Sequence, residues 1–177
     1  MKYYYDTFPS PAGDFSAAVD EDGALAATAF GGKKALLARF AGDAPALTHA
    51  LEKLTAVRAQ VGEYFAGKRR AFDLPLAPTG GSAHQRRVWT ALAAIPFGET
   101  RSYGELAKKL GSSPRAVGRA NATNPISLIV PCHRVIGADG SLTGYAFGEE
   151  IKRFLLAHEG CCNSNRIPRL GAYYKAK

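Results

Sequence analysis

The stretch Ser127-Leu128-Ile129-Val130-Pro131-Cys132-His133-Arg134-Val135 organises the chain. Leu128, Ile129 and Val130 carry the backbone towards an interior. Pro131 then interrupts it, because proline has no N–H and a fixed φ. Cys132 and His133 follow at once. A thiol is a good nucleophile only as thiolate, and a neighbouring imidazole can take its proton. On a flat strand the two side chains would point to opposite faces. They can cooperate in a bend, or through a water, and Pro131 favours a bend. The competing reading is a buried cysteine beside an unrelated histidine, since free cysteine is commonly buried.

Working outward, charge is placed unevenly. The net charge is +8 over 177 residues. Residues 1–79 hold nine Lys/Arg and nine Asp/Glu, whereas residues 80–177 hold fourteen and six. The second half therefore carries the whole excess, which points either to a polyanion partner or to a solvated basic face. Apolar content is that of a soluble protein, and no stretch reaches the ~20 residues of a membrane span. Met1-Lys2-Tyr3-Tyr4-Tyr5-Asp6 has no signal-peptide pattern, so a cytoplasmic protein is expected. Cys132, Cys161 and Cys162 form no disulfide framework and no CxxC pair. A mixed metal site of His158, Cys161 and Cys162 is unfavourable, because adjacent cysteines chelate one ion poorly; no metal and no cofactor are expected.

The first 79 residues read as a small α+β domain. Tyr3-Tyr4-Tyr5, Phe15–Val19 and 24–30 are expected as an antiparallel meander, with turns at 9–14 and 21–23. Leu51, Leu54, Val57, Val61 and Phe65 predict a helix over about 47–66. Residues 78–82, Pro-Thr-Gly-Gly-Ser, are the candidate linker. A helix over about 83–95 follows, with Val88, Trp89, Leu92 and Ile95 on one face and His84 near its start.

Residues 103–123 carry the second signal. Tyr103-Gly104-Glu105-Leu106-Ala107-Lys108-Lys109-Leu110 reads as a short helix closed by Gly111. After Ser112, Ser113 suits an N-cap and Pro114 the first helical position. Arg115-Ala116-Val117-Gly118-Arg119-Ala120-Asn121-Ala122 continues a second helix. Helix, tight turn, helix in a basic segment is the helix-turn-helix pattern. Ala116, Gly118, Ala120 and Ala122 are small and would let a partner backbone approach. Base-reading side chains are sparse, so binding with little sequence preference is expected. The alternative is a helical pair packed on the core. Asn124-Pro125 ends the second helix. Residues 137–141 read as a loop and Thr143-Gly144-Tyr145 as an extended piece. A last helix is predicted over 149–159, with Ile151, Phe154, Leu155 and His158 on its apolar face. Glu159 sits near that stripe and at a helix C-terminus, where a carboxylate is disfavoured. It is either paired with an imidazole-like donor or a frayed, solvated end.

Taken with Gln85-Arg86-Arg87-Val88-Trp89, Ile95-Pro96-Phe97-Gly98-Glu99, Ser102-Tyr103, Arg115-Ala116-Val117-Gly118, Asn124-Pro125, Gly144-Tyr145 and Leu155-Leu156-Ala157-His158-Glu159-Gly160, the Pro131-Cys132-His133-Arg134-Val135 motif resembles the methylated-DNA–protein-cysteine methyltransferases, the O6-alkylguanine-DNA alkyltransferase family. The match is specific over 85–160 and loose before 79. The resemblance implies a single-turnover DNA-repair enzyme, acting as a monomer on duplex DNA with O6-alkylguanine, and with O4-alkylthymine as a further candidate substrate. It implies base flipping, Cys132 as alkyl acceptor, His133 as proton relay and Glu159 as its orienter. Asn124 would support the fold around Cys132. Tyr103 would assist nucleotide rotation and protonate the leaving guanine. Arg115 would fill the stack, with Tyr103, Gly104, Ser112, Ser113, Ala116, Gly118 and Arg119 at the DNA. Pro131, Ala138, Tyr145 and Phe147 would wall the alkyl pocket. The implied organisation is a small antiparallel-sheet domain over 1–79, a mainly helical DNA-binding domain over 80–160, and a basic tail over 161–177.

Some positions depart from the family pattern. Phe147 stands where the family usually has Gly, and its ring is expected to narrow or reshape the pocket. His84 replaces an aromatic or small residue. Relatives that bind lesions without repair carry Trp at the Cys132 position, so Cys132 argues against that class. The rival functions are a non-catalytic helix-turn-helix regulator or lesion sensor, and a Cys-His hydrolase using Cys132, His133 and Glu159.

Overall fold

The computed structural model describes residues 1–161. Two compact units emerge: Met1–Gly81 with Pro125–Ile129, and Ser82–Asn124 with the chain from Val130 onward. The division falls within the expected linker, two residues after the expected boundary at 79/80. It also assigns Pro125–Ile129, read from sequence as part of the second domain, to the first unit.

In the first unit, β1 (Tyr3–Ser10), β2 (Gly13–Val19) and β3 (Leu25–Phe30) form the expected meander. The first hairpin is tighter than the Pro/Gly cluster suggested. Ser10 pairs with Gly13 across Pro11 and Ala12, and Gly13 takes φ 101°. A short helix α1 (Lys33–Leu37) follows. The sheet is mixed, because β4 (Leu47–His49) joins β1 in parallel to give the order β3-β2-β1-β4. The helix expected from residue 47 therefore starts late. A 3₁₀ turn, Leu51–Leu54, leads into α2 (Thr55–Phe65). The turn shifts the helical phase, so Leu51 is exposed while Leu54, Val57, Val61 and Tyr64 are buried.

β3 is buried throughout and would otherwise present a free sheet edge. Two short segments cover it. Leu25 N–H donates to Pro75 O at 2.7 Å, and Ala77 N–H to Leu25 O at 2.8 Å. Further along, Thr28 N–H donates to Pro125 O at 2.8 Å and Thr28 Oγ1–H to Ser127 O at 2.6 Å. Ile126, Ser127 and Leu128 are thereby buried, and Leu128 takes a left-handed φ of 74°.

The second unit is mainly helical. α3 (Ala83–Ala93) starts on a capping box between Ser82 and Gln85, and it buries Val88, Trp89 and Leu92. Trp89 Nε1–H satisfies Ala120 O at 2.8 Å. A two-residue strand, β5 (Arg101–Ser102), pairs in parallel with β6 (Val135–Ile136). α4 (Tyr103–Leu110) is capped by Ser102 with Glu105 and closed by Gly111 at φ 60°. α5 (Pro114–Ala122) is capped by Ser113, whose Oγ accepts from Ala116 N–H. α6 (Glu149–His158) ends the described chain. Its buried stripe is Lys152, Leu155, Leu156 and Glu159, one position round from the stripe expected through Ile151 and Phe154. No strand forms at 143–145; this segment runs as loop. No described helix is long and apolar enough to cross a membrane. Cys162 and the remainder of the basic tail lie outside the described residues.

Candidate active site

Pro131 does bend the chain. Cys132–Arg134 form one 3₁₀ turn, closed by Arg134 N–H donating to Pro131 O at 3.0 Å. About three residues per turn puts neighbouring side chains roughly 120° apart rather than opposite. Cys132 and His133 thus share one buried bend, at 2% and 0% exposure. Asn121 in the last turn of α5 and Asn124 just past it hold carbonyls in and before this turn. Asn124 Nδ2–H donates to Val130 O at 2.9 Å and Asn121 Nδ2–H to Cys132 O at 3.3 Å.

Glu159, one residue past α6, is buried and its Oε1 lies 2.7 Å from His133 Nε2. It is also gripped by Arg134, whose Nε donates to Oε2 at 2.8 Å and Nη2 to Oε1 at 3.0 Å. Burial raises the Glu159 pKa, but hydrogen bonds from His133 and Arg134 outweigh it and hold the carboxyl at about 2. An ionised carboxylate accepts, so His133 Nε2 carries the hydrogen. Nδ1 is left as the acceptor, buried and with no hydrogen-bond partner among the described residues. Burial pulls the imidazole below its ordinary value; Glu159 opposes this, while Arg134 and Lys152 add to it. His133 is therefore neutral near pH 7 and able to accept a proton.

Tyr103, the first residue of α4, donates its hydroxyl to Thr143 O at 3.1 Å. Burial and the nearby Cys132 charge raise its pKa, against a hydrogen bond with Asn121, so the phenol stays protonated. Gly144 makes room for it: a Cβ there would lie 3.0 Å from Tyr103 Oη, at a φ of 86°. Lys152 Nζ sits 5.8 Å from the Tyr103 ring centroid and 3.5 Å from Thr143 O. Burial lowers its pKa to about 8, while the Cys132 and Glu149 charges pull upward.

Cys132, His133, Glu159, Asn124 and Tyr103 thus lie in one unit, with the first three in one buried cluster. Arg115 and Arg119 project from α5 one turn apart, both exposed; Ala116 and Gly118 between them are half-buried. Gly104 is the second residue of α4, Ser113 caps α5, and Ser112 Oγ meets His84 Nε2 at 2.8 Å, which gives His84 a structural partner. Pro131 and Tyr145 are buried, and Phe147 packs on Tyr145 at 5.6 Å between centroids. Ala138 is exposed in the loop of residues 137–141. Arg134, Asn121 and Lys152 had no role in the sequence reading. The only signal for Lys152 was its spacing of three, four and seven from Leu155, Leu156 and Glu159. Among the described residues no group of three or more His, Cys, Asp or Glu could hold a metal ion.

One unit thus sets a helix-turn-helix pair beside a buried thiol, imidazole and carboxylate, the combination expected of a DNA-binding protein with a reactive cysteine. The chain belongs to the 6-O-methylguanine DNA methyltransferase family. The DNA-binding domain of that family matches residues 83–161 and its ribonuclease-like domain residues 3–78. A methylated-DNA–protein-cysteine methyltransferase of Methanosarcina acetivorans is 48% identical over 162 residues, covering 90% of this chain and 99% of the relative. A crystal structure of Mycobacterium tuberculosis OGT in complex with DNA has a TM-score of 0.80 and 39% identity, covering 97% and 99% of the two chains. An O6-methylguanine-DNA methyltransferase from Pyrococcus kodakaraensis has a TM-score of 0.64 at 28% identity, covering 89% and 99%.

Proposed function

We propose that this chain repairs O6-alkylguanine in duplex DNA by moving the alkyl group irreversibly onto Cys132, once per molecule and as a monomer. The observation that carries the reading is the buried Glu159–His133 hydrogen bond of 2.7 Å beside Cys132, in the unit that also bears the helix-turn-helix. The Cys132 thiol gives its proton to His133 Nδ1 through a water, and Glu159 stabilises the imidazolium. The thiolate attacks the alkyl carbon, a C–S bond forms and the C–O6 bond breaks. Its electron pair goes to the guanine, which takes a proton from the Tyr103 hydroxyl. A thioether is not hydrolysed by water, so the protein is consumed.

We assign the DNA contacts from the family resemblance, and the exposure of α5 supports them. Arg115, exposed in the first turn of α5, would enter the stack vacated by the flipped nucleotide. Ala116 with its methyl and Gly118 with bare backbone would face the minor groove, while Arg119, Gly104, Ser112 and Ser113 would meet backbone phosphates. Pro131, Tyr145, Phe147 and Ala138 wall the alkyl group, and Phe147 against Tyr145 restricts large alkyl groups. We place the activity in the cytoplasm, where a free thiol nucleophile stays reduced.

The test is intact mass and peptide mapping after mixing the protein with duplex DNA carrying one O6-methylguanine. The expected result is one methyl, at most, on the peptide holding Cys132. Cys132→Ala is expected to bind the lesion and gain nothing. Tight binding with an unmodified Cys132 would favour a lesion sensor instead, and methyl-free turnover of another substrate would favour a hydrolase.

A further inference from the structure

Glu159 is held more firmly than the orientation of His133 requires. Arg134 bonds both carboxylate oxygens, and its third donor, Nη1, reaches Ile95 O at 2.6 Å. The guanidinium also lies 5.8 Å from the Phe97 ring centroid. Next to that ring, Gly98 takes φ 82° where a Cβ would come within 3.3 Å of Glu159 O, so the loop after α3 closes on the same carboxylate residue. Arg134 itself is 6% exposed.

A buried carboxylate facing an imidazole alone attracts a proton onto it strongly, because the surroundings screen little. An imidazolium formed at rest could not accept the thiol proton. A cation on the far side of the same carboxylate offsets that pull. We propose that Arg134 is a positioning residue: by sharing the Glu159 carboxylate it keeps His133 neutral, with hydrogen on Nε2 and the Nδ1 lone pair open to the Cys132 proton. The proposal rests on the alkyl-transfer reading for its use, but the charge state itself belongs to the protein without DNA. The charged groups facing the imidazole are Lys152 from α6, Glu159 just past its end and Arg134 from its own turn, with the Cys132 thiol adjacent. Of the two cations, only Arg134 hydrogen-bonds the carboxylate that orients the ring.

Two measurements test this on the full chain. Nitrogen NMR of labelled histidine, in the protein alone, reads tautomer and titration of His133. Wild type is expected neutral with hydrogen on Nε2 near neutral pH. Arg134→Gln should raise its proton affinity about tenfold, one pH unit. Arg134→Lys keeps the charge and should titrate as wild type. Single-turnover methyl transfer from an O6-methylguanine duplex is then followed across pH. The acidic limb should move up by a similar amount in Arg134→Gln and stay put in Arg134→Lys, even where the latter is slower throughout. Equal slowing at every pH in both variants, with His133 titrating unchanged, overturns the proposal and leaves Arg134 a scaffold. Should Arg134→Gln not fold, the double variant with Glu159→Gln removes both charges. His133 no more basic than wild type is then expected, and a more basic one overturns the idea. Failure of the methyl-transfer reading would appear as an unmethylated wild-type Cys132, and the NMR result stands apart from it.

Discussion

Glu159 ties chemistry to stability. Its folded pKa of about 2 lies below the ordinary 4.5. A depressed carboxylate stabilises the fold above its unfolded pKa and loses that contribution as pH falls through the folded one. The shift corresponds to about 3 kcal/mol, present at neutral pH and lost between roughly pH 4.5 and 2. Glu159→Gln should therefore lower stability near pH 7 and flatten its fall in that acid window, as read by denaturant titration at several pH values. Gly144 gives a second case. Gly144→Ala should cost about 1–3 kcal/mol, because φ 86° strains an L residue and the new methyl presses on Tyr103 Oη. Methyl transfer should slow with it, read by single-turnover kinetics. Glu159 was legible in sequence because it broke two rules at once, a carboxylate near an apolar stripe and at a helix C-terminus. Arg134 and Lys152 were not. In a chain this basic a cation reads as surface, and only tertiary packing buries it.

At the scale of elements, α5 sets close approach against helix stability. Gly118 lies mid-helix, where glycine costs up to about 1 kcal/mol relative to alanine. A Cβ there would make ordinary contact with Tyr103 Cε1 at 3.8 Å, so the protein itself has room for it. Gly118→Ala should raise the melting temperature, with a gain of about 0.5–1 kcal/mol, while weakening lesion-duplex binding in a fluorescence-anisotropy titration. Unchanged affinity would show that the DNA backbone does not approach at this position. α4, α5 and α6 were readable from Ser113-Pro114, Gly111 and Glu149-Glu150, because caps act locally. β4 was not. It is three residues long, owes its form to pairing with β1, and fell inside the helix expected over about 47–66. The 3₁₀ turn before α2 hid for the same reason, since a shift of phase leaves no mark in composition.

For the molecule as a whole, the chain order and the packing order differ. The sequence suggested two successive domains, yet five residues just before the nucleophile, Pro125–Ile129, pack in the first unit. Nothing local announces this, because the apolar run 128–130 would suit either core. Thr28 carries the attachment, as its side chain donates to Ser127 O in a fully buried setting. Thr28→Val should cost about 0.5–1.5 kcal/mol by removing that buried hydrogen bond, measurable as a lowered denaturation midpoint. The interleaving also limits how such a gene can be cut and rejoined. A segment spanning the helix-turn-helix and the cysteine is continuous as DNA, yet its product would carry Ile126 and Leu128 away from the sheet that covers them. Recombination that swaps the leading sheet is expected to destabilise its product unless the incoming sheet offers a strand that accepts those five borrowed residues.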